Sequence, residues 1–543
     1  MRVIVLGGYG VFGSLLAQLL LRDGHEVWIA GRRLAEAQRC AKALGGHALE
    51  VGFLKDPAPL LAAKPQVVVD AAGPFQHYGT KPYAVAELCI AEGIDYLDLS
   101  DDADFTIGIS RLDDAARAAG CRALSGASSV PGLSSIVVSA LAEGLEEIDL
   151  IETAILPGNR APRGASVIAS IVGQVGRSTA VWRGEVWRST PVWSDKRRYE
   201  ISPGDRRTAY LIGVPDLRLF PQAFKARSVV FRAGMELGLM NAALVGLRLC
   251  RRYAKLPFSP RAIGLLLWLS NRLKPFGSDR GGMLVAIIGR RRGIPIRREW
   301  RLLAEAGAGP FVPAIVVRAL LRSPQRQAAG ARPCLAETSL TEIDRALADL
   351  AVTSTMTEEA RPSLFQSALR ERWDRLPPCV RRLHSVQDIE SFSGLSEITR
   401  GASLMARLAA RIFGFPKAGR EVPVTITKTR TASGETWERR FAERRFRSHL
   451  TPAKAPYRYR ERFLFLNYEQ DLPVVDGTLH LPVRRGWCLG LPIPKALLPR
   501  SDSREYEEDG SFHFDVALSA PLGGGLIVRY RGSVRPDAAP TPP

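Results

Sequence analysis

The sequence predicts an α/β chain: a doubly wound parallel sheet with an inserted α+β domain, followed by a C-terminal α+β domain built on antiparallel strands. Three observations carry this. In the first 150 residues, short apolar runs rich in Val and Ile alternate with helical apolar patterns. That alternation marks strand–helix–strand units and a parallel sheet. A glycine cluster, Gly7, Gly8, Gly10 and Gly13, sits between the first apolar run and the first helical pattern. Beyond Glu421 the apolar period falls to two, and Asp476-Gly477 and Asp509-Gly510 lie between alternating segments as hairpin turns.

A chain of 543 residues with 46% hydrophobic content has ample material for several cores. Its net charge of +20 is unevenly spread: residues 1–150 hold 12 Lys/Arg against 19 Asp/Glu, and the remainder 63 against 36. A basic remainder beside an acidic module points to an anionic surface as partner, and a generally arginine-rich composition accounts for it equally well. Seven cysteines without a CxxC pair fit reduced thiols in the cytoplasm. The first strand begins at Met1, so no leader is expected. No His/Cys cluster has metal-ligand spacing, so no metal is expected.

Met1–Leu6 is the first strand, and Ser14–Leu21 continues the first helix. Between them Gly8 permits a tight turn, Gly10 lets a pyrophosphate approach the backbone, and Gly13 lets helix and strand lie close. Tyr9, Val11 and Phe12 complete this turn, whose helix N-terminus offers free N–H groups to phosphate. Residues 25–30 form the second strand and end in Gly31-Arg32-Arg33. A carboxylate in this region would favour NAD, whereas Arg32 and Arg33 suit a 2′-phosphate. NADP is therefore expected, with NAD as the alternative. The same arginines also open the following helix. Residues 66–70 are a buried strand leading into Ala72-Gly73-Pro74-Phe75, small residues over which a cofactor can pass. A helix over 81–92, a strand over 93–100, a helix over 111–119 and a strand over 122–124 follow. Residues 123–142 are uncharged, but six serines, Pro131 and two glycines make them a loop and helix rather than a membrane span.

Gly7–Gly13, Ala30-Gly31-Arg32, Ala72–Phe75, Tyr96-Leu97-Asp98-Leu99-Ser100 and Ser129-Val130-Pro131-Gly132 together resemble the saccharopine dehydrogenase-like oxidoreductases. That group includes saccharopine reductases and trans-acting enoyl reductases of lipid pathways. The resemblance covers about residues 1–350 and implies a Rossmann domain interrupted by an α+β substrate domain, with NAD(P) as cofactor. It does not name a substrate. Residues 363–536 resemble a C-terminal domain of unknown function found after such modules.

The expected organisation is therefore a Rossmann domain over 1–150, completed by helices within 302–352, with an inserted substrate or oligomerisation domain over 151–301. A linker over 353–362, the C-terminal domain over 363–536 and a disordered tail over 537–543 follow. In the insert, residues 229–250 and 261–273 read as helices, apolar on one side. Residues 225–300 carry 16 Lys/Arg and only 3 Asp/Glu. Leucine-rich helices with basic ends suit an interfacial membrane helix, but a helix covering the insert's own sheet is the favoured expectation. The basic residues alternate with Leu rather than stacking aromatics, so no nucleic acid is expected. The C-terminal sheet could enclose an apolar ligand, but an ordinary filled core is the expectation.

For catalysis the candidates are few. His77 and Tyr78 lie at a strand's carboxyl end and could give a proton to a reduced carbonyl or imine, or simply shape the loop at the nicotinamide ribose. Asp101 and Asp102 could meet a cationic substrate or form a solvated turn. Tyr83 is followed four residues later by Glu87, so the Tyr-x-x-x-Lys pair of short-chain dehydrogenases is not formed there. The expected function is an NADP-dependent oxidoreductase reducing a small, apolar or lipid-like substrate, cytoplasmic, with peripheral contact to an anionic membrane and a homodimer as further partners. The alternative is a non-catalytic NAD(P)-binding sensor or scaffold acting through its C-terminal domain.

Overall fold

A computed structural model describes residues 1–52, 57–162, 164–253, 260–323 and 328–537. The chain divides into two compact units. Met1–Trp182, Arg188–Ile287 and Arg297–Glu359 form the first; Arg183–Trp187, Ile288–Ile296 and the chain from Ala360 on form the second.

The first unit opens with β1 (Arg2–Leu6), α1 (Val11–Arg22), β2 (Glu26–Gly31), α2 (Leu34–Leu44) and β3 (His47–Glu50). It continues through β4 (Val67–Asp70), β5 (Asp95–Asp98) and β6 (Arg122–Ser125). The sheet order is Gly330–Pro333, β6, β5, β4, β1, β2, β3, with every neighbouring pair parallel. Val3 to Leu6 and Val67 to Val69 are buried on both faces of the sheet, which is why they read as unbroken apolar runs. The winding reverses between β1 and β4. Their carboxyl ends therefore flank the crevice where open α/β sheets take ligands.

After the insert the chain returns through helix Ile315–Arg322. Its buried Arg318 donates to Asp23, at the end of α1, at 2.8 and 2.9 Å, and to Asp349 at 2.5 and 2.9 Å. Burial would raise the Asp23 carboxyl, but the hydrogen bonds of Arg318 and Arg322 hold it below the usual carboxylate range. The first sheet is completed by a strand as well as by helices. Gly330–Pro333, within a stretch that reads as a polar connection, pairs with β6.

The insert is a seven-stranded sheet in the order Arg197–Ser202, Asp205–Leu211, Val229–Ala233, Glu147–Leu156, Gly281–Arg291, Ile294–Ala304, Val352–Ala360. Two expectations are corrected here. Residues 229–250 are not one helix: Val229–Ala233 is a buried strand parallel to Glu147–Leu156, and the helix is Gly238–Tyr253. The β-branched pair Val229 and Val230 is buried with Phe231, and this burial overrides the helical pattern. Nor are residues 353–362 a linker, because Val352–Ala360 is the edge strand of this sheet. Its outer face is exposed Thr and Glu, so it carries no apolar signal.

The second unit is one long antiparallel sheet of thirteen strands. Segment 478–488 joins its two flanks. Leu479 and His480 pair with Glu505 and Arg504 on one side, and Val483 to Cys488 pair with Leu466–Asp471 on the other. Leu481 N–H donates to the Ser503 carbonyl, and the Asp471 N–H to that of Pro482, so pairing is continuous across the corner. The sheet thus closes on itself as a barrel. Asp476-Gly477 and Asp509-Gly510 are its tight hairpin turns, each residue at positive φ. Leu364, Phe365, Val380 and Leu383 from short helices share the core of the strands. Residues 538–543 of the expected tail lie outside the described residues.

Candidate functional site

The site is built at the β1–α1 turn. Gly7 takes φ +67, and a Cβ there would lie 2.5 Å from the Ala72 Cα, so this turn passes directly over the end of β4. The tight turn expected of Gly8 has its positive φ at Gly7. Gly8 is wedged instead: a Cβ would meet the Val5 carbonyl at 2.7 Å. At Gly13 a Cβ would lie 2.3 Å from the Gly7 carbonyl, which is the close helix–strand approach the spacing predicts.

Gly10 differs from these. A Cβ there would meet only the Gly7 carbonyl, at 3.0 Å, and its other side is open. Gly10 caps α1, whose first turn has no acidic residue and no capping side chain. The first N–H groups of a helix have no partner within it. Here they meet no competing carboxylate, and the helix dipole adds its positive end. Val11 and Phe12 of this turn are half-buried.

At the end of β2 the Tyr9 ring covers Gly31 so closely that a Cβ on Gly31 would lie 2.3 Å from it. The Arg33 guanidinium stands 5.4 Å from the Tyr9 ring centre and 3.7 Å from Glu36. Arg32 is exposed and makes no ion pair among the described residues. Tyr9 and Arg33 thus meet at the carboxyl end of β2, with Arg32 adjacent in sequence.

On the other side of the crevice, Ala71, Ala72, Gly73 and Pro74 follow β4 and are half-buried. Phe75 turns inward against Phe105, with ring centres 4.9 Å apart. The Tyr78 hydroxyl donates to Asp70 Oδ1 at 3.0 Å and Oδ2 at 3.1 Å. Ala72 N–H also donates to Asp70 at 2.9 Å, and the Tyr96 hydroxyl at 3.5 Å. Burial pushes Asp70 up to about 6, against these hydrogen bonds. Burial and the Asp70 charge raise the Tyr78 phenol. Tyr78 thus ties the loop to the β4 end through its hydroxyl. The side chain of His77 lies outside the described residues. Asp102 is occupied too, since its carboxylate caps helix Ala103–Gly108 by accepting from Phe105 N–H at 2.9 Å.

Sequence reasoning placed Gly7 in the glycine cluster without giving it a role, and missed Asp70 and Asp98 beside this crevice. Asp98 is fully buried at the end of β5 and accepts from Ser100 N–H, Gly126 N–H and the Ser125 hydroxyl. Burial pushes it up to about 7. An acid closing an apolar strand was the available signal in both cases; which donors would gather on it was not.

Residues 3–124 match the family described as saccharopine dehydrogenase NADP binding domain, and residues 376–534 match a domain of unknown function (DUF4166). No curated protein matches the chain. Among solved structures it is similar to apo saccharopine dehydrogenase (L-Glu forming) from Saccharomyces cerevisiae, at 14% identity, covering 66% of this chain and 99% of that one, with a TM-score of 0.47. It is also similar to 3-hydroxyacyl-CoA dehydrogenase type-2 from Mycobacterium avium, at 20% identity, covering 23% and 72%, TM-score 0.20. A third is 3-ketoacyl-(acyl-carrier-protein) reductase from Brucella melitensis, at 16% identity, covering 23% and 72%, TM-score 0.18. With its open glycine turn at the switch point of a parallel sheet, the chain thus carries a saccharopine dehydrogenase-like NADP-binding domain over residues 3–124 and a DUF4166 domain over residues 376–534.

Proposed function

We propose that the chain is an NADP-dependent oxidoreductase that reduces an uncharged, apolar substrate. The observation that carries this is the open Gly10 turn, with unopposed helix N–H groups on one side and Arg32 and Arg33 on the other. The α1 turn would hold the pyrophosphate, and the two arginines the 2′-phosphate. Residues 72–75 would support the nicotinamide half. The cofactor supplies the hydride. The chain binds and orients it, and the buried Asp70–Tyr78 pair keeps the β4 end in place.

The substrate class rests on a second observation, in the insert. Helix Pro260–Arg272 leaves Leu265, Trp268 and Leu269 exposed on one face, and helix Gly238–Tyr253 leaves Leu239 and Leu249 exposed. Phe276 is 75% exposed just beyond. Such side chains, with the Arg272 guanidinium 5.2 Å from the Trp268 ring centre, favour an anionic lipid surface over a covering role on the insert's own sheet. No described helix is long and apolar enough to cross a membrane.

The decisive experiment is fluorescence titration with NADPH and NADH. NADPH should bind at least tenfold more tightly. Arg32→Ala together with Arg33→Ala should remove that preference, weakening NADPH about tenfold and leaving NADH unchanged. Equal binding of both cofactors by the parent protein refutes the NADP assignment. Transfer of deuterium from labelled NADPH into a lipid extract, read by mass spectrometry, tests the substrate class; label appearing only in polar metabolites overturns it.

A further inference from the structure

The barrel of the second unit is not simply filled. It keeps a cavity of about 140 Å³, close to the ~150 Å³ of an engineered cavity that takes up benzene. Phe413, Trp437, Phe441, Phe512, Phe514 and Val516 supply its apolar wall. These residues come from strands on opposite sides of the closed sheet and from the chain just after helix Leu404–Ile412, so the space follows from barrel closure.

The polar groups on the wall select the ligand. Arg439 lies 3.3 Å from Glu461 and 4.8 Å from the Trp437 ring centre, so its charge is matched. Glu461 is also held by the Gln470 amide at 2.7 Å. Glu505 is 4% exposed and is engaged through one oxygen by His384 Nε2 at 2.6 Å. Behind it, Lys428 is matched by Glu435 at 3.2 Å and donates to the Leu383 carbonyl at 2.8 Å. Glu435 also lies 3.8 Å from Arg430, so the cations Lys428 and Arg430 stand against the carboxylates Glu435 and Glu505, and no spare countercharge remains for an ionised ligand, whose unpaired burial is costly. Tyr530 is 6% exposed, lines the cavity, and its hydroxyl has no hydrogen-bond partner among the described residues. Tyr468, also on the wall, is half-buried, and its hydroxyl likewise has no hydrogen-bond partner among the described residues. The Tyr530 hydroxyl oxygen keeps some accessible surface, so a ligand oxygen at Tyr530 can take the hydrogen bond that no described protein group takes.

We propose that this barrel is a second binding site, for a small uncharged molecule with an apolar body about one ring in size and one hydroxyl or carbonyl oxygen, which accepts from Tyr530. The proposal is independent of the cofactor site and of the oxidoreductase reading.

Fluorine NMR on the full chain tests it with three probes: 4-fluorophenol, fluorobenzene and 4-fluorobenzoate. Binding should fall in that order, with 4-fluorobenzoate weakest, and saturating NADPH should displace none of them. Tyr530→Phe should weaken 4-fluorophenol about tenfold and leave fluorobenzene unchanged. Val516→Trp, which fills the cavity, should abolish both. Preference for 4-fluorobenzoate overturns the charge selection. Displacement by NADPH, absence of binding by every probe, or 4-fluorophenol affinity untouched by Tyr530→Phe overturns the site. Unfolding midpoints of the variants show that they fold, and should Val516→Trp not fold, the probe series and Tyr530→Phe decide alone.

Discussion

The Tyr78 hydroxyl spans both oxygens of Asp70, at 3.0 and 3.1 Å, and so ties the loop after β4 to the last residue of that strand. A phenol in this arrangement is poorly suited to give up its proton, because burial and the adjacent carboxylate both raise it. Tyr78→Phe should therefore leave kcat for hydride transfer within about threefold of the parent, a change of under ~1 kcal/mol. It should also lower stability by about 1.5–3 kcal/mol, the usual worth of a hydrogen bond to a charged group. A hundredfold fall in kcat at unchanged stability would instead place the phenol in the chemistry. Denaturant midpoints and single-turnover rates separate the two.

Gly10 and Gly13 lie three residues apart but should fail differently. An added methyl at Gly13 meets the Gly7 carbonyl at 2.3 Å, so Gly13→Ala must push α1 off the strand. It should cost about 1–3 kcal/mol, as overpacking does, and lose cofactor binding as a consequence. At Gly10 the methyl meets only the Gly7 carbonyl, at 3.0 Å, and the backbone is at an ordinary φ of −74. Gly10→Ala should stay within about 1 kcal/mol of parent stability while NADPH affinity drops tenfold or more, because the methyl stands where the pyrophosphate must approach. Titration calorimetry beside thermal unfolding reads both. Unchanged affinity in Gly10→Ala would move the pyrophosphate away from this turn.

Asp98 makes the stability of the first unit depend on pH in an unusual direction. Burial pushes its folded value up to about 7, from an ordinary 3.8. Between about pH 4 and 7 the folded state holds the extra proton, so this group's contribution declines as pH rises through that window. Asp98→Asn keeps an acceptor for Ser100, Gly126 and Ser125 and removes the charge. The other carboxylate oxygen, Oδ2, has no partner among the described residues, so an amide displaces no existing bond. Urea unfolding from pH 4 to 8 should show the parent losing a few kcal/mol relative to the variant as pH rises. Parallel curves for the two proteins would show that Asp98 does not titrate in this range.

The β1–turn–α1 unit was legible because strand, glycines and helix are contiguous, and each glycine's neighbour is only a few residues away. Which glycine would carry the positive φ was not, since that depends on Ala72 passing beneath Gly7. The hairpins at Asp476 and Asp509 were legible for the same local reason. Strands Val229–Ala233, Gly330–Pro333 and Val352–Ala360 were not, because the first two are short, the third is exposed and carries no apolar alternation, and the strand character of each comes from partners remote in sequence. Barrel closure was hidden for the strongest form of this reason. One segment, 478–488, must pair with two strands that begin at Leu466 and Arg500, and no local pattern encodes a double pairing.

The exposed face of helix Pro260–Arg272 gives the membrane reading its sharpest test. Leu265, Trp268, Leu269 and Arg272 recur at spacings of three and four, so they share one side of the helix. The Arg272 guanidinium lies 5.2 Å from the Trp268 ring centre, a pairing suited to the boundary between acyl chains and headgroups. The apolar side chains supply burial and the basic ones attraction to anionic lipid, which salt screens. The full chain should co-float with phosphatidylserine-containing vesicles at low salt and less so at high salt. Leu265→Glu together with Trp268→Glu puts two carboxylates on the buried face. That variant should lose flotation while keeping parental NADPH affinity, which shows that the first unit is still folded. Flotation by the variant equal to the parent would show that this helix does not face the lipid. Absence of parental flotation at low salt would return Leu265 and Trp268 to ordinary exposed residues, and with them the apolar-substrate reading would lose its support in the insert.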